Sequence, residues 1–76
     1  MNAQEMFEKL GYKLVEKDDY ITVYGCGSDF IKFLKGYDGY ELFHEMFDKK
    51  RIPMCVGGEE HLAIHQQMIE LGWIEK

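Results

Sequence analysis

The chain predicts an α+β fold, an antiparallel β-sheet meander flanked by N-terminal and C-terminal helices, and three observations carry that prediction. Met6-Phe7-Glu8-Lys9-Leu10-Gly11-Tyr12 near the front and Met68-Ile69-Glu70-Leu71-Gly72-Trp73 near the back share one device. Each reads as the last turns of an amphipathic helix, stopped by a glycine in the left-handed conformation and followed by an aromatic that folds back. Between them, short runs of β-branched and aromatic residues alternate with turn residues. No stretch repeats at solenoid spacing and no Pro/Gly/Ser-rich linker divides the chain, so residues 1–76 are expected to form one small domain.

The expected order is α-β-β-β-β-(β)-α. Asn2 can cap the first helix, and Glu5 stands three residues on, where its carboxylate reaches back to the free amide. Ala3, Met6, Phe7 and Leu10 recur at helical spacing, which predicts a helix over 2–10. Tyr12-Lys13-Leu14-Val15-Glu16, a Lys17-Asp18-Asp19 turn and Tyr20-Ile21-Thr22-Val23-Tyr24 then read as a β-hairpin. Gly25-Cys26-Gly27-Ser28 is expected to break the ladder, and Phe30-Ile31-Lys32-Phe33-Leu34 to resume it as a third strand.

Residues 40–47 admit two readings. Leu42, Phe43, Met46 and Phe47 fit a helical stripe, and Asp38-Gly39-Tyr40-Glu41 imitates a capping box. The strand reading is favoured, because Gly36-Tyr37-Asp38-Gly39 makes a good hairpin turn and Tyr40, Phe43 and Phe47 stand where a helix prefers Ala, Leu or Lys. Ile52-Pro53-Met54-Cys55-Val56 follows as a short edge strand, since proline cannot donate to a central ladder. Gly57-Gly58 leads into the last helix, with Glu59 and Glu60 in the first turn where its dipole favours negative charge. Both helices can lie on one face of the sheet, leaving the other face for solvent or a partner.

Composition narrows the function classes. An apolar fraction of 46% with five Tyr, five Phe and one Trp excludes a disordered chain, and no long uncharged apolar run is present to span a membrane. The N-terminus lacks a basic region followed by an apolar stretch and a cleavage site, so a cytoplasmic protein is expected. Cys26 and Cys55 are too few for a disulfide scaffold and are expected to be thiols. Fourteen acids against nine bases give a net charge of −5, which repels a phosphate backbone, so direct nucleic-acid binding is not expected. Lys49-Lys50-Arg51 is read as a solvated turn. A core this small leaves little room for a substrate pocket of at least about 300 Å³, which argues against an enzyme.

The residues with most chemical potential sit near the last helix. At 100° per residue Leu62, Ile64, Met68, Ile69 and Leu71 share a broad face, and His61 and His65 fall inside it. With Cys55 just before the helix and Cys26 in a glycine loop, Cys26, Cys55, His61 and His65 supply the elements of a tetrahedral zinc site. Against it, the cysteines form no close pair, so the favoured reading makes His65 a core histidine, His61 a half-exposed first-turn residue and the cysteines small buried hydrophobes. Cys26 as a nucleophile with His44 or His65 as base would need a proximity that sequence alone cannot show, and it is not the favoured reading. Glu59 and Glu60 would repel a phosphate at Gly57-Gly58, and Asp18-Asp19 is a turn rather than a calcium loop. No catalytic, cofactor or metal residue is therefore assigned.

Glu5 to Tyr12, the strand start Asp19-Tyr20-Ile21, and above all Glu59-Glu60-His61-Leu62-Ala63-Ile64-His65-Gln66-Gln67-Met68-Ile69-Glu70-Leu71-Gly72-Trp73 resemble small uncharacterised proteins encoded by phages and prophages of Gram-positive bacteria. The resemblance covers both ends, while residues 25–55 depart from it. It implies an intracellular accessory protein of α+β fold and transfers no catalytic residue. The leading expectation is a non-enzymatic phage or prophage protein acting by protein–protein interaction with a host or phage partner. The alternatives are a small zinc-binding domain, an acidic mimic that blocks a nucleic-acid-binding protein by presenting carboxylates in place of phosphates, and a structural homo-oligomer.

Overall fold

A computed structural model of the chain describes residues 1–75. Helix α1 (Ala3–Lys9) starts at a complete capping box: the Asn2 side chain accepts the Glu5 N–H at 2.8 Å, and Glu5 accepts the Asn2 N–H at 3.0 Å. It ends as the sequence predicts. Gly11, at φ +94°, donates to the Glu8 carbonyl, and Tyr12 donates back to Phe7 at 3.0 Å. Helix α2 (Gly58–Glu70) closes the same way, with Gly72 at φ +80° donating to Ile69 and Trp73 to Met68. These paired bonds satisfy carbonyls that a helix end would otherwise leave free, and they turn both aromatics back toward the core.

Five strands lie between the helices: β1 (Lys13–Lys17), β2 (Ile21–Cys26), β3 (Asp29–Leu34), β4 (Gly39–Glu45) and β5 (Arg51–Pro53). They pair antiparallel in sequence order, so the sheet is a simple meander. Segment 40–47 is a strand as far as Glu45. Every residue of β3 from Asp29 to Leu34 pairs with one of β4, which satisfies both backbones at once. The expected break at Gly25-Cys26 does not occur. Both residues stay in the β2 ladder, and the chain reverses over Gly27-Ser28 alone, with Gly27 at φ +61° as a two-residue hairpin of this kind needs. The fifth strand is shorter than expected: Pro53, without an N–H, ends it, and Met54 and Val56 turn away to pack on the core. Asp18 closes the first hairpin by accepting the N–H groups of Tyr20 and Ile21, and these bonds hold its carboxyl below the usual range.

Both helices cover one face of the sheet. Ala3, Phe7, Ala63 and Ile64 bury themselves against Tyr24, Ile31 and Phe33. Phe7 is the centre, stacked on Tyr24 at 4.1 Å and meeting Phe33 edge-on at 6.3 Å. Burying a side chain of this size contributes about 1.5–3 kcal/mol, which a domain this small cannot spare. The Tyr24 hydroxyl donates to Gln67 Oε1, so the polar tip of one helix-face strand residue is satisfied by α2. No helix of the described residues is long and apolar enough to cross a membrane.

Candidate binding surface

The opposite face of the sheet carries no helix. Alternation along the strands places Val23, Phe30, Lys32, Glu41, Phe43, Glu45 and Arg51 there, because the helix-facing positions belong to Thr22, Tyr24, Ile31, Phe33 and Leu42. The register between β1 and β2 slips between Leu14 and Glu16, a bulge that turns Val15 and Glu16 together toward this open side. Val15 is 56% exposed.

An apolar row crosses the sheet at the level of Phe30. A side chain at Gly25 would place its Cβ 3.0 Å from the Phe30 ring and 3.4 Å from Val15, so the ring lies flat across a position that only glycine leaves open. Phe30 stacks on its β4 neighbour Phe43 with centroids 5.4 Å apart and planes 24° from parallel. The Arg51 guanidinium sits 4.3 Å above the Phe43 ring, and its Nε stands 3.9 Å from a Glu45 oxygen. One row along, Lys32 and Glu41 are directly opposed on β3 and β4. The hollow between these side chains is about 170 Å³, smaller than a drug-sized ligand needs.

The residues singled out for chemistry lie elsewhere and apart. His61 and His65 are exposed, not in the buried face of α2, whose buried residues are Ala63, Ile64 and Gln67. The reason is directional: the stripe that meets the sheet runs through small Ala63 and amphipathic Gln67, leaving Leu62 59% exposed on the outer side beside His61. Cys26 and Cys55 are exposed free thiols rather than buried hydrophobes. Among the described residues no three or more His, Cys, Asp and Glu side chains are grouped to hold a metal. Cys26 pairs with Asp29 and Asp29 with His44, which puts two strand spacings, about 10 Å, between the thiol's strand and the imidazole's. Its sulfur is turned toward Gly11.

Sequence spacing did not reveal the pair that does form: His44 Nδ1 meets Asp29 Oδ1 at 2.7 Å, both side chains nearly half exposed. The signal was their common row, visible only once the strand register is known. A wider hollow, about 500 Å³, is an open trough lined by Gln4, Glu8, Gly11, Tyr12, Lys13 and Leu14, without a cysteine or histidine. Burial lifts the Tyr12 hydroxyl above its ordinary pKa, with Glu60, Asp29 and Cys26 adding negative charge nearby. No protein-family model, curated protein or solved structure matches the chain.

Proposed function

We propose that this chain is a non-enzymatic accessory protein, of the kind that phages and prophages carry, and that it acts by binding another protein through the open face of its sheet. One observation carries the reading: a five-stranded sheet is covered by helices on one side only, and its free side bears the Val15–Phe30–Phe43 row framed by charged residues. Val15 is 56% exposed and Phe30 partly exposed, with Phe43 8% exposed beneath the Arg51 side chain, and an apolar row with a polar rim supports a protein contact there. The terminal segments that resemble phage and prophage proteins support the biological setting.

A photo-crosslinking amino acid at Val15, on the open face, is expected to form a covalent adduct with a protein in cells. The same group at exposed His61, on the outer side of α2, is the control. Adducts from His61 alone, or from neither position, would overturn the reading.

A further inference from the structure

We propose that the open sheet face docks against a second copy of this chain, the two sheets meeting face to face about a two-fold axis that runs along the strands between β3 and β4. The proposal rests on the reading that this face is the binding surface and names its occupant. The argument is one of register. Lys32 and Glu41 are direct cross-strand neighbours, and so are Phe30 and Phe43, two residues further along on the same face. A two-fold passing between β3 and β4 exchanges the two members of each pair. Lys32 then stands over the partner's Glu41 and Glu41 over the partner's Lys32, giving four charges of alternating sign. Phe30 then lies over the partner's Phe43, which is 8% exposed beneath its own Arg51 guanidinium, so each Phe30 ring meets the partner's Arg51 and the edge of the partner's Phe43.

Leu34, at the end of β3, faces the partner's Gly39, its own register mate, where no side chain competes for the space. Moving the axis onto β3 loses this match, because Lys32 would then meet the partner's Lys32. The surface is thus self-complementary in one register, as a closed dimer requires. Sheets pack face to face about 10 Å apart with strands near −30°, a rotation that displaces rows this close to the axis by only about 2 Å.

The area admits only a weak dimer. With the axis between β3 and β4, strands β2 to β5 lie over the partner's β5 to β2 while β1 overhangs, and four strands about 4.8 Å apart and about six residues long outline on the order of 400 Å², against about 800 Å² that each partner contributes to a standard interface. The small area and the charges on the face both limit the affinity, so a dissociation constant on the order of 100 µM is expected, weakening as salt rises.

Sedimentation velocity of the purified chain from about 1 to 300 µM, spanning that expected constant, tests the proposal. The wild type is expected to pass from monomer to dimer. Lys32→Glu makes all four central charges negative and Glu41→Lys makes them all positive, so each variant alone should dissociate at least about tenfold more readily. Mixed together, the two variants should pair with each other, one wholly negative and one wholly positive, and recover the dimer. Far-ultraviolet circular dichroism of each variant checks that the fold is kept; both positions are solvent-accessible. A wild type monomeric throughout the range, or a dimer indifferent to both substitutions and to their mixing, would overturn the proposal. A monomer that still gives crosslinks from Val15 to a different protein would leave the binding face standing and remove only its self-association.

Discussion

Glu70, in the last turn of α2, accepts the backbone N–H of Ala3 at 2.7 Å, so the final residue of one helix caps the first residue of the other. Gln66 donates to the same carboxylate oxygen at 2.9 Å and helps to fix it. The arrangement resolves an electrostatic conflict. A carboxylate at a helix C-terminus is unfavourable to its own helix, but here its charge lies on the positive end of α1. Glu70→Ala should therefore lower stability by about 1–2 kcal/mol, the range for losing a charged N-terminal cap. Thermal unfolding should show it as a midpoint drop of roughly 4–8 °C per kcal/mol in a domain of this size. Glu70→Gln, which keeps the acceptor and loses the charge, should recover part of the loss.

The fold was legible in the residues that terminate elements. Asn2, Gly11 and Gly72 act locally, through bonds to residues no more than five positions away, so their roles could be read without tertiary structure. Glu70 could not. Its partner is 67 residues distant, and nothing in the spacing of α2 marks it as a cap for another helix. The same distinction explains the histidines: periodicity located a broad apolar face on α2, but which sector meets the sheet was decided by the close approach of Ala63 to the core. The open face was foreseen as a consequence of both helices sharing one side. The row across it was not, because the bulge at Val15 and the two-residue turn at Gly27-Ser28 set the register.

Tyr24 should make the protein sensitive to strong alkali. Burial, then the charges of Glu70 and Glu8, push its hydroxyl up to about 12 from the ordinary 10. The folded state thus holds the proton where the unfolded chain releases it. The stability this contributes is complete below pH 10 and is lost as pH rises through 10 to about 12, because ionisation favours the unfolded chain. Urea unfolding at pH 9 and pH 11 should show the wild type losing more stability over that interval than Tyr24→Phe. The variant should also be less stable at pH 7, by about 1–3 kcal/mol, since it leaves the buried Gln67 amide without its partner.

Thr22 offers the opposite case. It is 2% exposed on the helix-facing side of β2, and its hydroxyl has no hydrogen-bond partner among the described residues. Thr22→Val replaces that oxygen with a methyl group of similar shape and keeps the β-branched form that suits a strand. Stability should rise by up to about 1 kcal/mol, because an unsatisfied polar atom is removed without opening a cavity. Thr22→Ser, which keeps the hydroxyl and deletes the methyl, should instead lower it by about 1 kcal/mol. Denaturant midpoints of the two variants should therefore lie on either side of the wild type.

Gly25 and Phe30 couple the integrity of the sheet to the shape of the open face. A Cβ at residue 25 falls 3.0 and 3.1 Å from two atoms of the Phe30 ring, so Gly25→Ala must lift that ring off the strand. Displacing it loosens the stack on Phe43 and should cost about 1–3 kcal/mol as an overpacking defect. The conflict exists only while the ring is present. In a Phe30→Ala background the same Gly25→Ala change meets no obstacle from it and reduces the freedom of the unfolded chain, which on its own stabilises by about 0.4–1 kcal/mol. The double variant should therefore be more stable than the two single losses added together predict, with a coupling of about 1–3 kcal/mol in urea unfolding. Additive losses would mean that Phe30 does not rest on Gly25, and the apolar row would lose the support that holds it flat.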